Sequence, residues 1–168
     1  MAELVSVCWL EIRGWINTGT LSPETLYGAY FVFKPNPAGS YGFDYQSVEV
    51  SIGIAGGEAS KRTVFLDAER GRRLRYQIVP RRAGIFNRAR FLASVEAPPA
   101  EHSNSNNSNS LDLQYPKERG DGWLEVELGD FFTDGEDGKE VEMGVYEIKS
   151  GDWKGGLFLQ GIEIRPKA

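Results

Sequence analysis

The chain has 168 residues, of which 40% are hydrophobic and 26% are charged, and its formal net charge is −5. This length suits one domain with a core of its own, and the composition is that of an ordinary globular protein. Cys8 is the only cysteine, which excludes a disulfide framework and favours a reducing compartment over secretion. We find neither a signal-peptide pattern at the start nor an apolar run long enough to span a membrane, so we expect no membrane partner.

The first third of the chain predicts three β-strands. The segment "SVCWLEIRGWI" alternates, with Leu10 and Ile12 on its apolar side, and "SVEVSIGI" alternates again. Between them, "LYGAYFVFK" is a strongly apolar run rich in aromatic residues, which favours a strand. Clusters of turn-forming residues separate the three segments. We expect at most one helical turn, in "SPETLYGA", with Ser22 as its cap and Pro23 at its first position.

The middle of the chain is its least regular part. "RTVFLDA" and "RLRYQIVP" predict two further short strands, but beyond Pro80 the periodicity is lost. The tract "EHSNSNNSNS" is polar and of low complexity, and it cannot bury apolar area, so we expect it to be disordered. We therefore interpret residues 81–118 as a long, partly disordered insertion between strands of a single domain that spans residues 1–168.

A basic stretch overlaps this irregular part. Residues 61–90 contain ten lysines or arginines and two acids, Asp67 and Glu69. Such asymmetry can mark a surface for an anionic partner, but we favour the simpler interpretation, which is a solvated basic loop. Because the chain as a whole is acidic, we do not expect nucleic acid to be its partner.

The C-terminal part predicts three more strands. "GDGWLEVELGDFF" places Leu124, Val126 and Leu128 on one face, "EVEMGVYEIKS" alternates again, and "GLFLQGIEIRP" closes the chain. We expect the glycines before this last strand to let the turn bend. Many short alternating strands are separated by turn signals, and no segment has a persuasive helical period. The sequence therefore predicts an all-β fold, an antiparallel β-sandwich or barrel.

The residue inventory argues against catalysis. The only histidine, His102, lies in the low-complexity tract, and Cys8 lies in a strand pattern, where a cysteine is usually a small buried hydrophobe. The sequence has no cluster of cysteines and histidines for zinc, and the glycines of "GIAGG" do not have the spacing of a phosphate-binding loop. We interpret the carboxylates of residues 136–142 as a solvated turn. The sequence thus predicts a protein that is not an enzyme and that needs no metal or other cofactor.

Several motifs together resemble one family. "VCWLEIRG" and "YGAYFVFK" lie between Val7 and Lys34, "DGWLEVELGDFF" begins at Asp121, and "DWKGGLFLQGIEIRP" closes the chain. These motifs resemble the phloem protein 2 family, the Nictaba-like lectin domains of plants, and in particular the plant proteins in which the domain follows an F-box. The resemblance covers nearly the whole chain except the region around residues 83–118.

The resemblance implies a fold, a ligand class and a location. It implies a β-sandwich of jelly-roll type that binds N-acetylglucosamine oligomers or the cores of N-glycans in the cytoplasm or the nucleus. The expected partners are then glycans or glycoproteins that contain N-acetylglucosamine. A second function stays open, in which the domain recognises client proteins for an F-box ubiquitin ligase and has no affinity for sugar. In that case we expect ubiquitin-ligase components as partners, through an F-box upstream of Met1.

The resemblance also points to site residues. Glu140 and Glu147 match carboxylates that are proposed to line the sugar site, and Trp153 and Lys154 match the "W-K" of the family's closing motif. Trp15 stands where the family more often has a lysine. An exposed tryptophan at the end of a strand could partly replace the upstream tryptophans of the lectin members. These five residues make up the predicted carbohydrate site.

The strand patterns suggest other roles for several of these residue types. Trp9 and Trp123 lie in the "CWLEI" and "DGWLE" segments, where tryptophans usually belong to the core, so we expect both to be structural. The alternative for Trp153 is a core or edge-packing residue. The alternative for Glu140 and Glu147 is a solvent-facing position on an antiparallel strand.

Overall fold

The computed structural model describes residues 1–68, 115–136 and 138–168. Its strands in chain order are β1 (Ala2–Leu4), β2 (Leu10–Asn17), β3 (Thr25–Pro35), β4 (Ser47–Ile54), β5 (Ala59–Phe65), β6 (Lys117–Glu118), β7 (Leu124–Thr133), β8 (Glu140–Glu147) and β9 (Leu157–Pro166). One 3₁₀ turn, at Thr18–Thr20, follows β2.

The strands form two antiparallel sheets. One sheet has the order β1-β9-β3-β7-β6, and the other has the order β2-β8-β4-β5. Several pairings join strands that are distant in the chain, such as β1 with β9 and β2 with β8. The predicted all-β antiparallel sandwich is confirmed.

The core lies between the two sheets. From the five-stranded sheet, β3 turns Phe31 and Phe33 inward, and from the four-stranded sheet, β4 turns Val48, Val50 and Ile52 inward. These residues alternate with outward-facing ones, because successive side chains of a strand point to opposite faces. Removing apolar surface from water stabilises a fold by ~25 cal/mol per Å², so the alternation in the sequence defines the inner face of each sheet.

The predicted helical turn in residues 22–29 is wrong. The chain stays extended there and enters β3 at Thr25. The hydroxyl oxygen of Thr133, on β7, lies 2.7 Å from the carbonyl oxygen of Ser22 and 3.0 Å from that of Thr25. It also accepts a hydrogen bond of 3.1 Å from the backbone N–H of Thr25. These tertiary contacts outweigh a weak local preference for a helix.

Other elements differ from the prediction in their bounds. The first long strand, β2, begins at Leu10, so Cys8 and Trp9 precede it. Strand β5 begins at Ala59, inside a segment predicted as a turn. The predicted strand "RLRYQIVP" and residues 81–114 of the predicted insertion lie outside the described residues. At the end of that insertion, β6 pairs with β7 and belongs to the sheet.

Ion pairs cover the outer face of the five-stranded sheet. Arg165 donates two hydrogen bonds of 2.6 and 2.8 Å to Glu125, and Arg119 donates one of 2.8 Å to Glu163. The guanidinium carbon of Arg165 also lies 3.6 Å from the centroid of the Tyr30 ring. The charged groups of this face thus bind one another, which directs attention to the end of the sandwich and to the other sheet.

Candidate functional site

The segment that leads into β9, residues 151–156, closes one end of the sandwich. Its backbone runs between two other segments and pairs with both. Lys154 exchanges two hydrogen bonds of 2.9 Å with Val7, and Gly155 exchanges two of 3.0 Å with Tyr41. The segment is therefore held on both sides along its backbone.

Two glycines permit this close approach. A Cβ atom on Gly155 would lie 2.1 Å from the carbonyl oxygen of Val5, and one on Gly156 would lie 2.1 Å from that of Gly39. Gly156 also has a φ of +77°, a left-handed conformation that favours glycine. The expectation that these glycines let the turn bend is thus incomplete, because Gly155 is needed for space.

Lys154 and Glu147 form an ion pair beneath this segment, and both side chains are almost completely excluded from solvent. The ammonium of Lys154 also donates to the carbonyl oxygens of Cys8 (2.6 Å) and Asp152 (2.8 Å). The carboxylate of Glu147 accepts from the backbone N–H of Ser150 (3.2 Å) and from its hydroxyl (3.0 Å). Each buried charge therefore has several partners, without which its burial would be strongly unfavourable.

The charge of Glu147 follows from these surroundings. Burial alone would raise the pKa of Glu147, since desolvation disfavours the charged carboxylate. The hydrogen bonds from Lys154 and Ser150 outweigh burial and bring the pKa of Glu147 below its usual value. Glu147 is therefore ionised at neutral pH and holds the ammonium of Lys154 in place.

Two exposed tryptophans are anchored on this buried ammonium. The carbonyl group of Cys8 belongs to the peptide bond before Trp9, and that of Asp152 to the peptide bond before Trp153. Because both carbonyls accept from Nζ of Lys154, the two tryptophans leave the surface from neighbouring points of the backbone. Trp9 is 72% exposed and Trp153 is 63% exposed, so both indole rings are open to a ligand.

Tyr41 lies beside this pair, since its backbone is bridged to Gly155. Its hydroxyl oxygen lies 3.1 Å from the carbonyl oxygen of Val5 and 2.7 Å from the hydroxyl of Ser6. These contacts position the phenol ring, which is partly exposed. We call Trp9, Trp153 and Tyr41 the aromatic rim.

A second candidate surface is the outer face of the four-stranded sheet. Its outward side chains form rows across the strands, because the strands are in register. From β2 through β8 and β4 to β5, successive rows are Glu11, Tyr146, Glu49 and Thr63, then Arg13, Gly144, Ser51 and Lys61, then Trp15, Glu142, Gly53 and Ala59. A groove of about 490 Å³ is lined by residues from all three rows.

This face carries two of the predicted site residues. Trp15 is 54% exposed and lies directly across from Glu142. Glu140 is exposed and lies across from Asn17 in the next row. Directly opposed residues of an antiparallel pair have Cβ atoms about 5 Å apart, so Trp15 has a carboxylate beside it.

The five predicted site residues therefore separate into two groups. Trp153, Lys154 and Glu147 come together at the aromatic rim, whereas Trp15 and Glu140 lie on the outer face of the four-stranded sheet. Lys154 and Glu147 are closed to solvent, so a sugar would reach their charged groups only if the ion pair opened. Direct sugar contact by each of the five residues stays a prediction.

The sequence did not indicate the exposure of Trp9. The expectation that Trp9 belongs to the core is wrong, because β2 begins one residue later and the alternation does not extend back to it. The group that anchors it, Lys154, binds a carbonyl 146 positions away, so no local pattern could have revealed it. Trp123 agrees with the structural role expected, since it is half-buried and its ring centroid lies 4.5 Å from Nζ of Lys34.

Both surfaces offer aromatic stacking together with hydrogen bonding. Aromatic rings supply large rigid contact area, and carboxylates accept hydrogen bonds from hydroxyl and amide groups. Within the ranges that the structure describes, no group of three or more histidine, cysteine, aspartate or glutamate side chains could hold a metal ion. No helix of those same ranges is long and apolar enough to cross a membrane.

The sandwich and its closing segment define a known class of plant domain. A profile of the family described as Phloem protein 2 matches residues 1–166, and the chain belongs to the phloem protein 2 family. Two relatives from Arabidopsis thaliana are F-box protein PP2-B1, 38% identical over 181 residues, and F-box protein PP2-B10, 39% identical over 170 residues. The matches cover 99% of this chain but 53% and 48% of those relatives. The chain thus spans about half the length of the curated relatives it matches.

Proposed function

We propose that this domain is a lectin-like module that binds N-acetylglucosamine oligomers or the cores of N-glycans and performs no catalysis. The observation that carries the proposal is the aromatic rim, where Trp9 and Trp153 are exposed yet anchored on one buried ammonium. Exposed apolar groups that are clustered in this way usually mark a binding site. Membership of the phloem protein 2 family favours the same function.

The rim suits a sugar for physical reasons. A pyranose ring presents a face of C–H groups that packs flat on an aromatic ring, and an N-acetyl group adds a methyl beside an amide. An indole offers a large contact area with only two side-chain torsions to fix. Because the backbone at Trp9 and Trp153 is held by Lys154, binding requires little further ordering of the protein.

Isothermal titration calorimetry tests the proposal. The protein is titrated with N-acetylglucosamine and with its dimer and tetramer, and we expect saturable binding that is tighter for the oligomers. Glucose oligomers of the same linkage and length are the matched control ligands, and we expect them to bind more weakly because they lack the N-acetyl group. A sample with a sharp thermal unfolding transition that binds none of these ligands at millimolar concentration would falsify the proposal.

A second candidate function is the recognition of client proteins for a ubiquitin ligase, with no affinity for sugar. The printed names of the two relatives favour it, since both are F-box proteins. In that function the aromatic rim would contact a protein surface, where aromatic residues are also enriched. One candidate glycoprotein separates the two functions when it is tested before and after enzymatic removal of its N-glycan. Lectin binding is lost on removal, whereas client recognition persists.

We also propose that the domain works in the cytoplasm or the nucleus. Its single cysteine, Cys8, agrees with a reducing compartment. Fluorescence microscopy of a tagged natural protein in plant cells tests this proposal, and fluorescence confined to the secretory pathway would contradict it.

A further inference from the structure

The groove on the outer face of the four-stranded sheet has small residues along its floor. Ser51 and Gly144 lie opposite each other on β4 and β8, and Gly53 lies opposite Glu142. The result is a trough of about 490 Å³, a size typical of ligand-binding pockets.

The ring of Tyr146 lies over this floor. A Cβ atom on Gly144 would lie 2.2 Å from the hydroxyl oxygen of Tyr146 and 2.3 Å from two of its ring carbons. The ring therefore lies along the sheet instead of standing upright from it. Tyr146 is half-buried and lines the groove, so it presents an aromatic surface to a ligand there.

The charged side chains around Tyr146 are paired with one another. Arg13 lies 2.7 Å from the carboxylate of Glu11 and 3.9 Å from that of Glu142. On the other side of the groove, Lys61 lies 3.7 Å from the carboxylate of Glu49. Because these charges are engaged in pairs, the groove favours neither an anion nor a cation. Closely spaced donors and acceptors beside an aromatic ring suit the hydroxyl and C–H groups of a neutral sugar.

One end of the groove adjoins the aromatic rim. Ile148 lines that end, and its neighbour Glu147 pairs with Leu10, the residue that follows Trp9. From there the groove follows β4, whose eight residues span about 25 Å at ~3.3 Å per residue. This span exceeds one sugar ring, so a ligand that occupies both the rim and the groove is an oligomer.

We infer that the groove is a second sugar-binding subsite, continuous with the aromatic rim, in which Tyr146 stacks on an inner ring of an N-acetylglucosamine oligomer. This inference rests on the proposed carbohydrate-binding function and adds a separate site to it. Glu49 and Glu142 accept hydrogen bonds from sugar hydroxyls, and Arg13 donates one. A dimer occupies the rim alone, whereas a tetramer also reaches Tyr146.

Calorimetry with the dimer and the tetramer tests the second subsite. For the natural sequence we expect the tetramer to bind more tightly than the dimer. In Tyr146→Ala we expect the tetramer to lose about tenfold in affinity, which corresponds to about 1.4 kcal/mol, while the affinity for the dimer stays unchanged. Tyr146→Phe keeps the ring and should keep the affinity for the tetramer.

A groove-filling variant makes the test independent of the packing of Tyr146. Ser51 points outward from the sheet, so Ser51→Gln places a longer side chain on the floor without disturbing the core, and it should weaken binding of the tetramer alone. Phe132→Ala removes an exposed aromatic residue from the other sheet and should change neither affinity. If Ser51→Gln and a folded Tyr146→Ala both bind the tetramer as tightly as the natural sequence does, the second subsite does not exist, although the rim still binds sugar. If the natural sequence binds neither ligand, the carbohydrate function itself fails.

Discussion

Lys154 and Glu147 form an ion pair that is closed to solvent, yet this pair positions the two tryptophans of the aromatic rim. The ammonium of Lys154 binds the carbonyl groups that precede Trp9 and Trp153, and Glu147 holds that ammonium. The pair thus acts on a ligand through the backbone it orders and not through direct contact. It is a positioning element, and its removal should change both stability and binding.

Lys154→Met should destabilise the protein strongly. The substitution leaves the carboxylate of Glu147 buried without its charged partner, and it leaves two buried carbonyl groups without a donor. Breaking a buried pair in this way typically costs about 3–5 kcal/mol, and urea unfolding followed by tryptophan fluorescence measures the loss. Lys139→Met is the matched control, since Lys139 pairs with Asp134 and Glu136 at the surface. It should leave the unfolding transition nearly unchanged, and equal losses in the two variants would contradict the assignment.

The contribution of Glu147 to stability should disappear in acid. Its pKa is lowered in the folded state, so the folded protein favours the ionised carboxylate more than the unfolded chain does. The resulting stability is complete above the unfolded pKa of about 4.3, and it is lost as the pH falls through the lower, folded pKa. Glu147→Gln removes this titration and serves as the reference. The difference in unfolding free energy between the natural sequence and Glu147→Gln should shrink steadily between pH 5 and pH 2. A difference that stays constant over this range would show that ionisation of Glu147 does not stabilise the fold.

Gly155→Ala should destabilise the end of the sandwich. A Cβ atom there would lie 2.1 Å from the carbonyl oxygen of Val5, and a backbone atom held by hydrogen bonds cannot move aside easily. Overpacking of this kind costs about 1–3 kcal/mol, which thermal unfolding can measure. Gly120→Ala provides the control, because a Cβ atom on Gly120 would meet no atom within 4 Å. If both alanine variants unfold at the same temperature as the natural sequence, Gly155 is not required for space.

The pattern of alternation predicted the faces of several strands correctly, and the reason is local. In β7, Leu124, Val126 and Leu128 share one face in the sequence and all three are buried in the core, because burial of one face of a sheet imposes a period of two on each strand. The strand "GLFLQGIEIRP" was likewise assigned within its observed bounds. The sandwich could therefore be predicted from the residues of each strand taken separately.

The geometry of the candidate site depends on pairings between distant parts of the chain, which no local pattern encodes. Trp15 gains Glu142 as its neighbour through the register of β2 with β8. Trp9 gains its anchor from Lys154, which lies near the other end of the sequence. The identity of the site residues was therefore accessible through family motifs, whereas the roles of Lys154 and Glu147 beneath the rim became visible only in three dimensions.

Trp153→Ala should weaken the binding of sugar without affecting the fold. Its indole is mostly exposed, and truncation of an exposed side chain usually changes the unfolding free energy by less than about 0.5 kcal/mol. Loss of a stacking surface should lower the affinity for the N-acetylglucosamine dimer about five- to tenfold, or about 1–1.4 kcal/mol. Calorimetry measures the affinity and thermal unfolding checks the fold, with Phe132→Ala as the control for removal of an exposed aromatic ring elsewhere. A large drop in melting temperature would show instead that Trp153 is a structural residue.

Trp9 and Trp153 should act on a ligand together, since both leave the surface beside the same ammonium. Residues that share a ligand or a partner are energetically coupled, whereas distant residues with no shared partner have additive effects. We therefore expect the combined Trp9→Ala and Trp153→Ala variant to lose less affinity for the dimer than the two single losses predict. Trp15 lies on the outer face of the four-stranded sheet, and Trp15→Ala combined with Trp153→Ala should give additive losses. Additive losses for Trp9 and Trp153 as well would mean that the two indoles do not contact the same sugar, and the aromatic rim would then be two separate surfaces.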